Sequence, residues 1–250
     1  MLNSLENFGR YCHLALRCLL ALPGALLQPS EVIRQLHQVL LGALPLAAVA
    51  GLAVGGVIWM HTNHLLKQFG AQDRLPEGLA LAVILELAPT GAGLIVAGRS
   101  GASLGAELGS MRLTEQLDAL EVLGISTLRR LVAPRVLGCV LALPLLTVFM
   151  IYFELVGSFG AEMLGGSMGW TQYQSACLKS VTLAEALPAT LKTLVFGFLI
   201  GVTGCWFGMT ADGGTEGVGQ AATRGVVLSL LLVLASNVFL VGAIQALTGR

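Results

Sequence analysis

The sequence predicts an all-α, polytopic membrane protein, with an N-terminal helix lying in the membrane interface and five transmembrane helices after it. Three observations carry that expectation. Only 11% of the 250 residues are charged and 55% are hydrophobic, with a mean hydropathy of +0.81, whereas a soluble domain carries roughly 25% charged residues. Five runs reach the length of about twenty apolar residues needed to cross a bilayer. Much of the remaining charge is gathered between Ala97 and Arg135, which reads as a connector at a membrane face. Zero net charge implies no polybasic or polyacidic partner and argues against nucleic acid. Cys12, Cys18, Cys139, Cys177 and Cys205 are scattered and odd in number. They fit small core residues better than a disulfide or metal framework.

The first element, residues 1–28, is an apolar stretch that carries Arg10, His13 and Arg17 at spacings of three and four. One basic stripe on a greasy helix favours lying in the interface over spanning it. A signal peptide is the rival reading, but these arginines sit inside the apolar region instead of before it. Pro23 and Gly24 end the element, and Pro29-Ser30-Glu31 restarts a helix with Ser30 as its cap. The first span, 30–60, is uncharged from Gln38 to Met60, with Ala47, Gly51 and Gly55 as a row of small residues. The second, 78–106, contains Glu86 and Arg99. Along it Gly93, Ala97, Gly101, Gly105 and Gly109 recur every fourth residue, with Gly98, Ala102, Ala106 and Ser110 as a second row. Such ridges let a neighbouring helix approach almost to backbone contact.

A short helix is expected over 112–124. Thr114 serves as N-cap, Glu115, Gln116 and Asp118 occupy the first turn, and Gly124 stops it. Leu113, Leu117, Leu120 and Leu123 then share one face, with Glu115, Asp118 and Glu121 on another, between Arg112 and the arginines at 129, 130 and 135. Such a helix is either a solvated connector or a docking element. The remaining spans are 133–156, 184–210 and 222–248, and an odd number of spans puts the chain ends on opposite sides. With the N-terminus inside, nine Lys and Arg residues are cytoplasmic and five are outside, which sets that orientation. The short helix and the loop Met209 to Ala222 then face the cytoplasm, and His61 to Glu77 and Gly157 to Glu185 face outward.

Several motifs are set aside. Gly165 to Gly169 fits G-x-S-x-G without the strand-to-helix setting of a nucleophile elbow. Gly217 to Ala222 resembles a dinucleotide fingerprint without a βαβ unit and reads as a flexible loop. His61 and His64 lack a third metal ligand and read as loop histidines, so no metal site is expected. No P-loop is present, so any nucleotide energy comes from a partner.

Two charges stand inside apolar runs, where burial costs about 2.5–3.5 kcal/mol each on insertion scales. Glu86 lies roughly eight residues into its span and Lys192 about seven, so each is about 10–12 Å below the outer surface at 1.5 Å per residue. Equal depth permits an ion pair or one shared polar pocket. The alternative is that Lys192 snorkels outward and Glu86 is protonated.

Four segments, Glu86-Leu-Ala-Pro89, the run from Ala97 to Met111, the run from Thr114 to Ile125, and Ala133-Pro-Arg135, together resemble the MlaE permease family. That family supplies the membrane subunit of bacterial ABC transporters handling phospholipid and other hydrophobic molecules with MCE proteins. Leu191 to Gly197 and Gly213 to Arg224 match its second signature, and the resemblance runs from Gln35 to the C-terminus. It implies a homodimer with a central lipid cavity, a heterodimer with a paralogue being the variant. The helix Thr114–Gly124 is then the coupling helix that contacts a separate ATPase through Glu115, Gln116, Asp118 and Glu121, flanked by Arg112. Glu86, Lys192 and Asn237 belong to the substrate cavity, and Arg99, Gly213, Gly214, Glu216, Gly217, Thr223 and Arg224 to a cytoplasmic signature. The chain departs from the family in having Leu85 where an arginine is usual and Asn237 where an aspartate is usual.

The resemblance further implies that the chain is no enzyme and holds no cofactor, with ATP and Mg residing in the ATPase. An MCE-domain protein and a STAS-domain subunit are the other expected partners. The location implied is the bacterial inner membrane, with the N-terminus cytoplasmic and the C-terminus periplasmic. Rival functions are an ion-coupled secondary carrier in which Glu86 titrates, and a non-transporting membrane scaffold.

Overall fold

The computed structural model describes the backbone of residues 2–166 and 168–248, and side chains over 6–166 and 168–246. Ser167 of the G-x-S-x-G match and Arg250, counted above to the outer side, lie outside the described residues. Regular structure among the described residues is entirely helical: α1 (Leu2–Ala25), α2 (Pro29–Gln68), α3 (Leu75–Ala82), α4 (Ala88–Leu113), α5 (Gln116–Val122), α6 (Ala133–Gly165), α7 (Trp170–Ser180), α8 (Leu183–Met209) and α9 (Gly214–Thr248). A 3₁₀ turn, Gln72–Arg74, precedes α3, and π-helical turns at Val83–Leu87 and Leu128–Val132 lead into α4 and α6. Five of these helical segments are long and apolar enough to cross a membrane: Pro29–Gln68, Gln72–Leu113, Leu128–Gly165, Leu183–Met209 and Gly214–Ala246.

Both π turns have the same local cause. Each is followed by Ala-Pro, at Ala88-Pro89 and Ala133-Pro134. A proline has no N–H to give the carbonyl four residues earlier, and its ring crowds that carbonyl. The backbone widens by one residue, and the Ala88 and Ala133 N–H groups bond back to the Val83 and Leu128 carbonyls, five residues earlier.

Glycines set the helix packing. Gly55 of α2 lies against the Glu154 backbone and Gly157 of α6 against that of Leu52, so these two helices run in near backbone contact. α4 is the central post, packed against α8 and α9. Its ridge meets α9: a Cβ on Gly101 would lie 3.3 Å from the Gly225 carbonyl oxygen, and one on Gly105 3.0 Å from that of Ala221. Gly93 faces Val233 and Phe196, Ala97 is fully buried, and Gly109 faces Ala211 and Val218. From the other side, Gly204 and Gly208 of α8 pack on Leu104 and Leu108. The second row behaves differently. A side chain on Gly98 would meet nothing within 4 Å, and Ala102 and Ala106 are half-buried.

Several local expectations are corrected. Ser30 does not cap α2: the helix begins at Pro29 with Gln28 as the flanking residue, because proline suits a first turn where N–H groups are unpaired anyway. His61 and His64 are on α2 rather than in a loop, since that helix runs to Gln68. Gly217 to Ala222 is helical as part of α9. Thr114 ends α4 instead of starting the next helix. Its Oγ1 donates to the Ser110 carbonyl at 2.9 Å, a bond back onto its own last turn.

Candidate functional site

Glu86 sits in the first π turn, Lys192 on α8 and Asn237 on α9, and the packing of both helices on α4 brings the three together. The Lys192 ammonium donates to Glu86 Oε2 at 2.9 Å and to the Leu85 carbonyl at 2.9 Å. The Asn237 amide Nδ2 donates to the same Oε2 at 3.2 Å, while its Oδ1 is buried without a partner. The second acceptor of Lys192 follows from the chain itself. Leu85 lies four residues before Pro89, so the N–H that would close its ordinary helical turn is missing, and its carbonyl is open to another donor. The ammonium supplies it.

Exposure is uneven across this constellation. The Lys192 side chain is 1% exposed and that of Glu86 43%. Glu86 therefore opens onto a cavity of about 380 Å³ that Lys192 also lines, walled by Thr182, Glu185, Pro188, Val241, Ile244 and Gln245. Apolar wall and convergent polar groups in one cavity are the usual form of a small-molecule site. Lys192 does not point outward to solvent, so the snorkelling alternative fails on geometry.

At the other end of α4, the two remaining sequence signatures meet. Arg112 pairs with Asp118, and Glu115 has φ +58°, a left-handed conformation that costs a non-glycine residue about 1–2 kcal/mol. That kink separates α5 from α4. It leaves Leu113 of the expected leucine face on α4: Leu117 is buried and Leu120 half-buried, while Val122 and Leu123 are 87% and 71% exposed beside the acidic Glu115, Asp118 and Glu121. Gly124, at φ +70°, ends the helix as its residue type requires. Facing α5 is the turn into α9, where Gly213 and Gly214 both have positive φ and the Gly213 N–H is held by Asp212 Oδ1 at 2.8 Å. Gly217 lies against the Asp212 backbone with no room for a side chain. Together these segments line a cleft of about 250 Å³. Further along, Gln220 links Glu216 and Arg224 within α9, and the Thr223 hydroxyl donates to the Gly219 carbonyl. Arg99 is apart from this cleft; it reaches from α4 to the Gln38 carbonyl of α2 at 3.3 Å.

Some polar contacts escaped the sequence reading. Arg135, 3% exposed, pairs with Glu107 between α6 and α4. The Tyr11 hydroxyl meets Thr203 Oγ1 at 2.9 Å and ties α1 to α8. Trp59 Nε1 donates to Glu162 Oε2 at 2.7 Å, and Glu162 Oε1 accepts the Met168 N–H at 3.0 Å. Glu154 is fully buried and neither carboxyl oxygen has a hydrogen-bond partner. The available signals were Pro89 for the Leu85 carbonyl and, for the Trp59 staple, a tryptophan at the end of an apolar run. Nothing in the pattern marks Glu154. Cys18, Cys139, Cys177 and Cys205 are buried and Cys12 is exposed.

The sequence profile of the family described as Permease MlaE matches residues 32–243. A probable ABC transporter permease protein of Rickettsia typhi is 32% identical over 238 residues, covering 94% of this chain and 90% of the relative. Another from Synechocystis is 34% identical over 210 residues, covering 84% and 80%. The intermembrane phospholipid transport system permease protein MlaE of Haemophilus influenzae is 31% identical over 209 residues, covering 81% and 78%.

Proposed function

This chain belongs to the MlaE permease family of ABC transporter permeases, and from that membership we propose that it carries phospholipid or a related amphiphile across a bacterial inner membrane. The observation that carries the proposal is the Glu86, Lys192 and Asn237 constellation, of which Glu86 and Lys192 line a cavity with apolar walls at Leu85, Pro188, Val241 and Ile244. A lipid headgroup phosphate takes the Lys192 ammonium as its counter-charge, an amine or hydroxyl of the headgroup takes Glu86, and the apolar wall accepts the acyl chains. With Leu85 in place of an arginine, one ammonium does the work on the phosphate.

The driving step lies with a separate ATPase that holds ATP and Mg. It engages α5, where exposed Val122 and Leu123 sit among Glu115, Asp118 and Glu121, a surface fitted to a groove with an apolar floor and a basic rim. Two copies form the transporter, the half-buried Gly98 and Ala102 row being available to the second copy. An MCE-domain protein completes the assembly on the outer side, and a STAS-domain subunit on the inner side. In this reading α1 lies in the interface, the N-terminus is cytoplasmic and the C-terminus periplasmic.

The test is affinity purification from native membranes with mass spectrometry of co-purifying proteins and lipids, for the natural chain and for Glu86→Gln with Lys192→Gln. An ATPase, an MCE protein and enriched phospholipid are expected with the natural chain. The double variant keeps the proteins and loses most of the lipid, by roughly tenfold, the factor attached to about 1.4 kcal/mol. A chain recovered without any ATPase overturns the proposal and favours an ion-coupled carrier. Unchanged lipid in the double variant overturns the assignment of the cavity.

A further inference from the structure

A second lipid-facing feature lies away from the Glu86 cavity. Between the C-terminal half of α1 and the approach to α6 runs an open groove of about 670 Å³, with Leu20, Ala21, Leu27 and Leu128 as its apolar lining and Arg17 and Arg129 among its polar residues. Its wall is held in place by Gln28, which donates to the Arg129 carbonyl at 3.5 Å and accepts from Arg130 at 3.3 Å. Arg130 is thus engaged by the fold. Among the described residues, neither Arg17 nor Arg129 has a carboxylate within ion-pair distance, and none of the lining residues is acidic.

The surroundings say what medium the groove meets. Leu16, Leu19, Leu20, Leu26 and Leu27 are all exposed on and just after α1. Five exposed leucines beside a basic stripe place this helix at the boundary of hydrocarbon and headgroups. The groove therefore offers apolar walls to acyl chains and two guanidiniums, free of competing acid, at headgroup level. Guanidinium is the side-chain group best suited to bind phosphate oxygens in pairs.

We propose that this groove binds one anionic phospholipid as a resident, non-transported ligand, its phosphate between Arg17 and Arg129 and its acyl chains along Leu20, Leu27 and the outer face of α1. Such a lipid fastens α1 to the start of α6, the segment that follows α5. The site is independent of the cargo cavity, and the proposal stands whether or not Lys192 binds cargo.

The experiment is native mass spectrometry of the full chain, purified in detergent, stripped of lipid and titrated with phosphatidylglycerol or phosphatidylcholine of matched acyl chains. The natural chain is expected to retain phosphatidylglycerol preferentially. Arg17→Gln and Arg129→Gln each lower that retention about fivefold, and together roughly 25-fold. Arg17→Lys with Arg129→Lys keeps most of it, which separates loss of charge from loss of fold. Lys192→Gln leaves the preference unchanged, which separates this site from the cavity. Equal retention of the two lipids by the natural chain overturns the proposal, as does undiminished phosphatidylglycerol on the double glutamine variant. Displacement of the lipid by millimolar inorganic phosphate identifies a free-anion site and also overturns it. Loss of a co-purified ATPase from the double variant with its lipid intact does the same by showing a protein-facing surface.

Discussion

At the scale of single residues, one proline and two acids carry the distinctive physics. Pro89→Ala returns an N–H to the Leu85 carbonyl, which then no longer needs the Lys192 ammonium. The π turn tightens and Glu86 rotates away from its partners, so lipid retention falls roughly tenfold, equivalent to losing about one charge-assisted hydrogen bond. Thermal stability of the purified chain stays level or rises, because proline is a poor helix residue. A variant that retains lipid as the natural chain does would show that the π turn is incidental. Glu154 is the opposite case, a buried carboxyl with no hydrogen-bond partner. Replacing it by methionine removes an unsatisfied group while keeping the volume, and is expected to raise resistance to unfolding in mixed detergent by about 1–3 kcal/mol. A loss of stability would mean that the carboxyl has a role in holding the fold. Part of this was open to sequence reading. Glu86 and Lys192 stood out because charge is costly inside an apolar run, and equal depth predicted that they could meet. The Leu85 carbonyl did not stand out, because arguments from a 3.6-residue period assume the backbone ladder is intact, and Pro89 breaks it.

Among the elements, small residues decide what touches what, and the sequence spoke clearly on only half of that question. The row through Gly101 and Gly105 was legible as a contact ridge from its four-residue period. Which of the two adjacent rows faces inward was not, because both are equally small. The structure separates them sharply. A side chain at Gly208 would place its Cβ 2.6 Å from Leu108 Cβ and 3.0 Å from the Gly105 carbonyl oxygen, whereas one at Gly98 meets open space. Gly208→Val is therefore expected to destabilise the isolated chain by about 1–3 kcal/mol and Gly98→Val by no more than about 0.5 kcal/mol, read by detergent unfolding of the monomer. If the two variants unfold alike, the packing around α4 is wrong. The misassignment of Thr114 has a similar origin. Threonine caps either end of a helix by the same hydroxyl, and only the left-handed Glu115 beside it shows that one helix has finished there. The start of α9 was obscured for a related reason: glycines weaken helix propensity, and here Gly217 is required by the close Asp212 backbone instead.

For the whole molecule, five segments are long and apolar enough to cross a membrane, α4 lying in one of them, and an exposed cysteine near one end of the chain can report their orientation. Cys12 is exposed on α1, while Cys18, whose thiol burial pushes up to about 12, and Cys177, pushed up to about 11, are shielded. A membrane-impermeant maleimide is expected to label Cys12 in inside-out vesicles and to leave right-side-out cells unlabelled, with no labelling of Cys18 or Cys177 in either. Labelling from the cell exterior would reverse the proposed orientation of every span. Span number and fold class could be read directly from the sequence, since charge is scarce and its few concentrations fall between apolar runs. Helix length could not: α2, α4 and α6 continue beyond their apolar cores, because nothing in a polar extension announces itself as helical once the hydrophobic period fades.

The ammonium of Lys192 already has two owners inside the protein, the Leu85 carbonyl and Glu86. Two of its three N–H groups are thereby taken, and in the proposed function a headgroup phosphate has the third and must share the charge with those acceptors. Cargo held in that way is held on loan. A receptor built to keep its ligand would leave such a cation unspoken for; a conduit gains from a grip that its own backbone is always competing to release.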